Sequence, residues 1–208
     1  MVKQLALRLA SWLTAVVIFW MLLWAPVVLG QDAAAPSDRQ TLGDPDAPVT
    51  IVEYASLTCP HCANYHNETF PALKERYVDT GKVRYVYRDF PLDQRALDAA
   101  VVAHCAEPDE YFDFLDVLFE RQAHWAGAQD HVSALVLLAK LGGLPEERVR
   151  ACLADEELQS AILQQRLEGQ NQHGVRSTPS FVIGGQTYAG DRGIEEFAGL
   201  IDPLLPGG

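Results

Sequence analysis

The chain has 208 residues, of which 49% are hydrophobic and 21% are charged. This composition suits one folded domain, with or without an insertion, and excludes an intrinsically disordered protein. The formal net charge of −12 argues against a nucleic-acid partner, because nucleic-acid binding depends on basic residues that neutralise phosphates.

Residues 1–30 are typical of an export segment and not of a folded domain. Lys3 and Arg8 form a short basic start, and residues 9–30 contain no charged side chain. The apolar run is long enough to span a bilayer, so we expect either a signal peptide cleaved after Gly30 or a retained membrane anchor. A buried core helix is the weaker alternative, because the stretch is apolar all round. Either export outcome places the remaining residues outside the cytoplasm, where disulfides persist.

The rest of the chain is predicted to begin with a linker and to continue as strands and helices. Residues 31–48 are rich in Ala, Pro, Asp and Gly and are expected to form the linker. Hydrophobic periodicity then predicts, in chain order, a strand at 49–57, a helix at 59–77, a strand at 83–90, helices from 93 to 174, a hairpin of 181–183 and 186–189, and a helix at 193–204. This order predicts an α/β fold with an inserted helical subdomain.

The strongest motif is Cys59-Pro60-His61-Cys62, at the point where the first predicted strand passes into the first helix. Two sulfurs at this spacing can close into a disulfide across one helical turn. The helix N-terminus supplies partial positive charge and free N–H groups beside Cys59, and both stabilise a thiolate, the nucleophile of disulfide exchange. His61 can add a hydrogen bond or a charge, and Pro60 at the first helical position costs no hydrogen bond. The motif therefore predicts a redox-active pair that donates disulfides in its oxidised form.

The same motif is also compatible with a zinc site or with an inert structural disulfide, and both alternatives stay open on the residues alone. A zinc site would need a second pair of ligands at similar spacing, whereas Cys105 and Cys152 stand far apart in the sequence. We therefore expect neither a metal nor a cofactor.

From residue 49 to the C-terminus the chain resembles the bacterial DsbA-like thiol:disulfide oxidoreductases of the thioredoxin superfamily. The first strand and the cysteine motif match the family's strand and active-site helix, and residues 93–174 look like its helical domain. Thr178-Pro179, followed by residues 180–185, looks like its cis-proline loop and hairpin. The Pro-His dipeptide between the cysteines is the oxidase variant of the motif. The resemblance implies that residues 49–208 form a thioredoxin fold with a helical insertion.

The resemblance also implies the reaction, the partners and the compartment. The expected activity is that of an exported oxidase, which introduces disulfides into reduced or unfolded exported proteins. A membrane-bound partner would reoxidise it, in the periplasm or on the extracytoplasmic face of the inner membrane, with residues 9–30 as the candidate anchor. Two alternatives are a disulfide isomerase or reductase, and a non-enzymatic periplasmic chaperone that uses the same groove.

Thr178 and Pro179 are the candidate substrate-binding residues. The resemblance implies a cis bond between them, which would turn the backbone of Thr178 outward beside Cys59. The N–H and C=O of Thr178 could then pair with an extended peptide as an added strand. The best-known oxidases of the family carry Val before this proline, and Thr is typical of the related isomerases. Thr178 therefore leaves the balance between oxidase and isomerase open.

Glu53 is the candidate proton acceptor for Cys62. It lies in an otherwise apolar strand, where a carboxylate is costly unless it is hydrated or has a task. The family has a buried acid at this place beneath its active site, which would accept the Cys62 proton when that thiol attacks a mixed disulfide. The alternative is an edge-strand glutamate that faces water. For His66, one turn along the active-site helix, we expect a surface position, with a redox role as the alternative.

Cys105 and Cys152 are the candidates for a second disulfide. Both lie in the predicted helical insertion, and an oxidising compartment favours pairing of buried thiols that lie close together. Some DsbA-like relatives have a second, structural disulfide, which supports this pairing. The alternative is two unpaired buried cysteines that behave as small hydrophobic residues.

Overall fold

The computed structural model describes residues 39–207, and this part of the chain is built on a mixed sheet. The strands are β1 (Thr41–Leu42), β2 (Val49–Ala55), β3 (Val83–Asp89), β4 (Ser180–Ile183) and β5 (Gln186–Ala189). Within the described part, their order across the sheet is β1-β3-β2-β4-β5. β2 and β3 run parallel, and the other neighbours run antiparallel. β2 therefore lies at the centre of the sheet.

β2 can occupy the centre because its sequence tolerates burial on both faces. Val49, Ile51 and Tyr54 are all buried. In the register of the sheet, Ile51 lies between Tyr85 of β3 and Ile183 of β4. The predicted strands at 49–57 and 83–90 agree with β2 and β3 to within two residues at each end.

The first helix, α1, covers residues 60–78 and alternates between two helical forms. It is α-helical at Pro60–Asn64 and Phe70–Leu73, and π-helical at Tyr65–Thr69 and Lys74–Val78. Cys59 is its N-cap, with extended backbone angles of φ −81° and ψ 119°. Pro60 suits the first helical position, because the N–H that it lacks would have no partner in the helix there.

The helical insertion predicted between the second and third strands of the thioredoxin fold is confirmed. It consists of α2 (Gln94–His104), α3 (Tyr111–Glu120), α4 (Gln122–Ala126), α5 (His131–Leu141), α6 (Glu146–Leu153) and α7 (Glu156–His173), with a 3₁₀ turn at Pro108–Glu110. Asp93, Asp130 and Asp155 cap α2, α5 and α7 through carboxylates that accept backbone N–H groups. α7 ends at Gly174, whose φ of 65° favours glycine. After the β4–β5 hairpin come α8 (Ile194–Ile201) and a 3₁₀ turn at Asp202–Leu204.

α2 is the central helix of the insertion. Leu97, Ala99, Ala100 and Val101 are buried, and the small alanines let neighbouring helices approach closely. α2 packs against α3, α5, α6 and α7, and α7 packs in turn against β3. The insertion and the sheet therefore share one hydrophobic core.

The expected linker differs from the structure at its C-terminal end. Gln40 is fully buried, and its Nε2 donates to Asp89 Oδ2 at 2.8 Å and to the Tyr111 hydroxyl at 3.1 Å. Its Oε1 accepts from Gln165 Nε2 at 2.8 Å. With β1 paired to β3, residues 40–42 belong to the fold. A strand of two residues is too short to show an alternating pattern, and a buried glutamine is stable only because all these partners surround it.

Residues 1–38 lie outside the described residues. The expected signal peptide or anchor at 1–30 and most of the expected linker fall there. Among residues 39–207, no helix is long and apolar enough to cross a membrane. Membrane anchoring by residues 9–30 therefore stays a prediction.

Candidate active site

Cys59 and Cys62 lie at the start of α1, directly after the central strand. The Cys59 N–H donates to Ser56 O at 3.0 Å, and the Cys59 carbonyl accepts from the N–H groups of Cys62 and Ala63 at 3.1 and 3.2 Å. These bonds turn the chain from β2 into the helix and hold the Cys59 side chain at the helix N-terminus. Both cysteines of the motif are reduced in the structure.

The surroundings of Cys59 favour its thiolate. Its pKa is lowered to about 5, chiefly by a hydrogen bond from the Cys62 thiol, with further contributions from the Thr178 side chain and the backbone N–H groups of Cys62 and His61. Burial opposes this shift, because Cys59 is only 7% exposed. At neutral pH the Cys59 sulfur is therefore ionised and nucleophilic.

Cys62 has the opposite character. It is fully buried, and burial raises its pKa well above the ordinary value. The hydrogen bond with Cys59 and the charge of Glu53 raise it further. The motif thus holds one thiolate near the surface and one protonated thiol beneath it.

The two residues between the cysteines are both exposed. Pro60 begins the helix, as its position in the motif predicts. The backbone N–H of His61 is among the groups that lower the pKa of Cys59. His61 therefore acts on Cys59 through its main chain.

The loop before β4 faces the motif. The expected cis bond between Thr178 and Pro179 is present. Thr178 O lies 3.3 Å from Cys59 Sγ, so a protonated Cys59 thiol can donate to it. The Pro179 carbonyl accepts from the Gly190 N–H at 2.8 Å, which ties this loop to the chain that follows β5. The loop therefore places a main-chain segment of residue 178 directly beside the reactive sulfur.

Glu53 lies in the centre of the sheet and is fully buried. The alternative of an edge-strand glutamate facing water is therefore wrong. Its Oε2 accepts a short hydrogen bond from the Tyr85 hydroxyl and lies 2.9 Å from His66 Nε2. These partners compensate part of the cost of burying a carboxylate.

His66 is buried, so the expectation that it is a surface residue is wrong. Its ring stacks on Phe119 of α3, with 4.2 Å between ring centroids and 17° between ring planes. The sequence gives no reliable signal for its burial, because the π-helical turn Tyr65–Thr69 departs from the regular spacing of an α-helix.

Gln122 is a site residue that sequence reasoning missed. It lies at the start of α4, and its Nε2 donates to Leu57 O at 2.8 Å and to Cys59 O at 3.0 Å. The insertion thus holds the loop that carries Cys59. The sequence carries no signal for this contact, because the bonded residues are 63 and 65 positions apart.

Cys105 and Cys152 are joined by a disulfide in the structure, with their Cα atoms 6.3 Å apart. The bond links the C-terminal end of α2 to α6, and both residues belong to the insertion. Cys105 is buried and Cys152 is half-buried. Within the described residues, no group of three or more His, Cys, Asp or Glu side chains could hold a metal ion.

Comparison with known proteins identifies the family. A thioredoxin family model matches residues 36–203. The crystal structure of alpha-DsbA1 from Wolbachia pipientis superposes with a TM-score of 0.74 at 34% identity, covering 79% of this chain and 89% of that chain. The chain belongs to the DsbA-like proteins of the thioredoxin superfamily. This confirms the fold that the resemblance implies.

Two further proteins show how far the similarity extends. A Rickettsia felis protein named as a candidate protein-disulfide oxidoreductase is 33% identical over 165 residues, which are 79% of this chain and 59% of that protein. This chain spans less than two thirds of the length of the first curated relatives it matches. BdbD from Bacillus subtilis has a TM-score of 0.71 at 24% identity, covering 79% of this chain and 91% of that chain, and shares the fold.

Proposed function

We propose that this DsbA-like protein is an exported thiol oxidase that introduces disulfides into other exported proteins through Cys59 and Cys62. The observation that carries the proposal is the opposite perturbation of the two thiols, since the pKa of Cys59 is lowered to about 5 and that of Cys62 is raised. A stabilised thiolate is a good leaving group, so a disulfide that contains Cys59 passes readily to a substrate.

The reaction begins with the oxidised pair and a substrate with two thiols. A substrate thiolate attacks Cys59 Sγ, the bond between the two cysteines breaks, and Cys62 leaves with the electron pair and takes up a proton. The second substrate thiolate attacks the substrate sulfur of the mixed disulfide, and Cys59 leaves as a thiolate. Two electrons pass from the substrate dithiol to the enzyme, and the substrate gains one disulfide.

Substrate recognition is assigned to Thr178 and Pro179. The main chain of Thr178 lies beside Cys59, where it can pair with an extended peptide that presents its own sulfur to the reactive one. Backbone pairing is independent of side chains, which suits an enzyme that acts on many unfolded substrates.

Reoxidation completes the cycle. The Cys59 thiolate attacks a disulfide of a membrane-bound partner, and the Cys62 thiol then loses its proton and attacks Cys59 to release that partner. Glu53 is the proposed acceptor of this proton, because its charge acts on Cys62 from within the core. Export by residues 1–30 would bring the domain to the periplasm or to the extracytoplasmic face of the inner membrane.

A disulfide isomerase is the second candidate, and Thr178 is the observation that favours it. Isomerisation requires the active site to be kept reduced, and the residue before the cis-proline touches the reactive sulfur. The two functions therefore differ in the redox state in which the Cys59–Cys62 pair acts, which is oxidised for the oxidase and reduced for the isomerase.

Two assays on the same protein test the proposal. The oxidised protein should form disulfides in a reduced, unfolded substrate, and a Cys59→Ser variant should not. Equilibration with glutathione should show that the Cys59–Cys62 disulfide is easily reduced. Repair of scrambled disulfides by the reduced protein, without net disulfide formation by the oxidised protein, would favour the isomerase. The chaperone would be favoured if the Cys59→Ser variant prevents aggregation of an unfolded substrate and the native protein does not catalyse disulfide formation in it.

A further inference from the structure

The buried pair of Glu53 and His66 continues to the protein surface through Asp116 of α3. His66 Nε2 lies 2.9 Å from Glu53 Oε2, and on the other edge of the ring His66 Nδ1 lies 4.0 Å from Asp116 Oδ1. The side chains of Glu53 and His66 are 0% and 1% exposed, whereas that of Asp116 is 57% exposed. The three groups form a row from the core near Cys62 to solvent.

Two atoms of this row lack a hydrogen-bond partner among residues 39–207: Glu53 Oε1 and His66 Nδ1. Both are buried, and buried polar atoms are rarely left unpaired. Glu53 Oε2 is occupied by Tyr85 and His66, which leaves Oε1 free to accept a proton. The unpaired atoms stand at the two ends of the buried pair, where a proton can enter and leave.

We propose that His66 and Asp116 complete a proton relay that serves Cys62 through Glu53. The inference rests on the proposed function, in which Cys62 loses a proton when it attacks a mixed disulfide and regains one when it is displaced. His66 and Asp116 do not touch the reacting sulfurs, so both are positioning residues for this step.

The relay conserves charge within the buried pair. The relay requires a state in which His66 carries a proton on each ring nitrogen and donates from Nε2 to the Glu53 carboxylate. Cys62 passes its proton to Glu53 Oε1, and its thiolate attacks Cys59 Sγ of the mixed disulfide. The S–S bond to the partner breaks, and the partner sulfur leaves with the electron pair. The imidazolium, which no longer faces an anion, releases its Nδ1 proton to Asp116.

Asp116 then passes that proton to water, and the pair of Glu53 and His66 has changed from an ion pair to two neutral groups. The distance of 4.0 Å between Nδ1 and Oδ1 is longer than a direct hydrogen bond, so this transfer takes place through one bridging water or after a small rotation of Asp116. The same steps run in reverse when a substrate displaces Cys62.

Other titratable groups face the row from the elements around it. They are the Cys62 thiol, the hydroxyls of Tyr65, Tyr85 and Tyr87, and, at the surface end, Asp113 and Lys74. Burial raises the pKa of all three hydroxyls, so they stay neutral at physiological pH. Partial desolvation raises the pKa of Asp116, although most of its side chain is exposed, and this brings its proton uptake closer to neutral pH.

The relay predicts a selective defect in the second half of a single turnover. The reduced full chain is mixed with glutathione disulfide and quenched with acid at successive times, and mass spectrometry counts the mixed disulfide and the internal disulfide. Asp116→Asn should slow conversion of the mixed disulfide about tenfold, and His66→Gln more strongly, towards the roughly 10²-fold effect of a direct acid–base group. The first step, attack by Cys59, should keep its rate in Asp116→Asn.

Glu120→Gln is the matched control, because it removes a carboxylate from the same helix, where Glu120 pairs with Arg121. It should convert the mixed disulfide at the native rate. Added formate should restore the rate of Asp116→Asn and leave that of the native protein unchanged, an effect that a merely structural role of Asp116 would not produce.

The relay is overturned if Asp116→Asn resolves the mixed disulfide at the native rate, if it slows attack and resolution equally, or if Glu120→Gln is equally slow. These outcomes leave the proposed function standing. A native protein that forms no mixed disulfide at all would instead refute the proposed function. Asp116 is exposed, so its variant is expected to fold even if His66→Gln does not.

Discussion

Lowering the pH from 7 to 4 should remove the extra stability that the reduced Cys59 thiolate gives to the folded domain. The pKa of Cys59 is lowered to about 5 in the fold, against about 8.5 for an ordinary thiol in an unfolded chain. At pH 7 the folded thiol is ionised and the unfolded one is protonated, so linkage over about two pH units gives about 3 kcal/mol. Screening by nearby solvent reduces this to about 2 kcal/mol.

The direction follows from the lowered pKa. A thiol whose pKa is lower in the folded state stabilises the fold fully above its unfolded pKa and loses that contribution as the pH falls through about 5. The oxidised form has no titratable thiol at the motif and lacks this contribution. Its short cross-link adds about 2 kcal/mol in the chain-entropy model, but this part does not change with pH. The pH dependence of the difference between the two forms is therefore the quantity to measure.

The assay is unfolding by urea, with and without a phosphine reductant, at intervals between pH 4 and pH 7. Between pH 4 and pH 7, the free energy of unfolding of the reduced form should rise by about 2 kcal/mol relative to that of the oxidised form. This difference corresponds to about 4–8 °C in Tm. Adding the reductant to Cys59→Ser should produce no such gain. A difference that is constant with pH, or that grows in favour of the oxidised form, would refute the assignment of the thiolate.

Three further predictions concern the roles of single cysteines, the loop and the second disulfide. Cys59→Ser should abolish oxidase activity, whereas Cys62→Ser should accumulate mixed disulfides on non-reducing gels; the opposite pattern would reverse their roles. Pro179→Thr should prolong mixed disulfides more than it slows their formation, and an unchanged gel pattern with full activity would remove this residue from the site. Replacing Cys105 and Cys152 together by Ala should cost up to about 4 kcal/mol of stability, since the disulfide spans 47 positions, and most oxidase activity should remain. Unchanged urea unfolding would contradict a structural role for that bond.

The sheet and the cysteine motif were predictable because their signals are local. β2 and β3 appear in the sequence as runs of β-branched and aromatic residues, and Pro60 marks the start of the helix that carries the motif. The cis bond before Pro179 was predictable only through the family resemblance, because most X-Pro bonds in folded proteins are trans.

The remaining features depend on contacts that no local pattern records. β1 has two residues and is held by pairing with β3. His66 lies in a π-helical turn, where side chains depart from the regular helical spacing, and its burial depends on Phe119 of a distant helix. In each case the deciding partner lies far away in the sequence.

The helical insertion takes part in the proposed chemistry, because two of its helices reach the motif at different cysteines. Gln122 of α4 fixes the Cys59 carbonyl, and with it the turn that holds the sulfur at the helix N-terminus. Asp116 and Phe119 of α3 surround His66, which serves Cys62 in the proposed relay. The hydrogen bond from Cys62, the cis-proline loop and the helix start together favour a thiolate at Cys59. A protonated thiol buried as deeply as Cys62 additionally needs a route for its proton, and in this fold that route runs through the insertion.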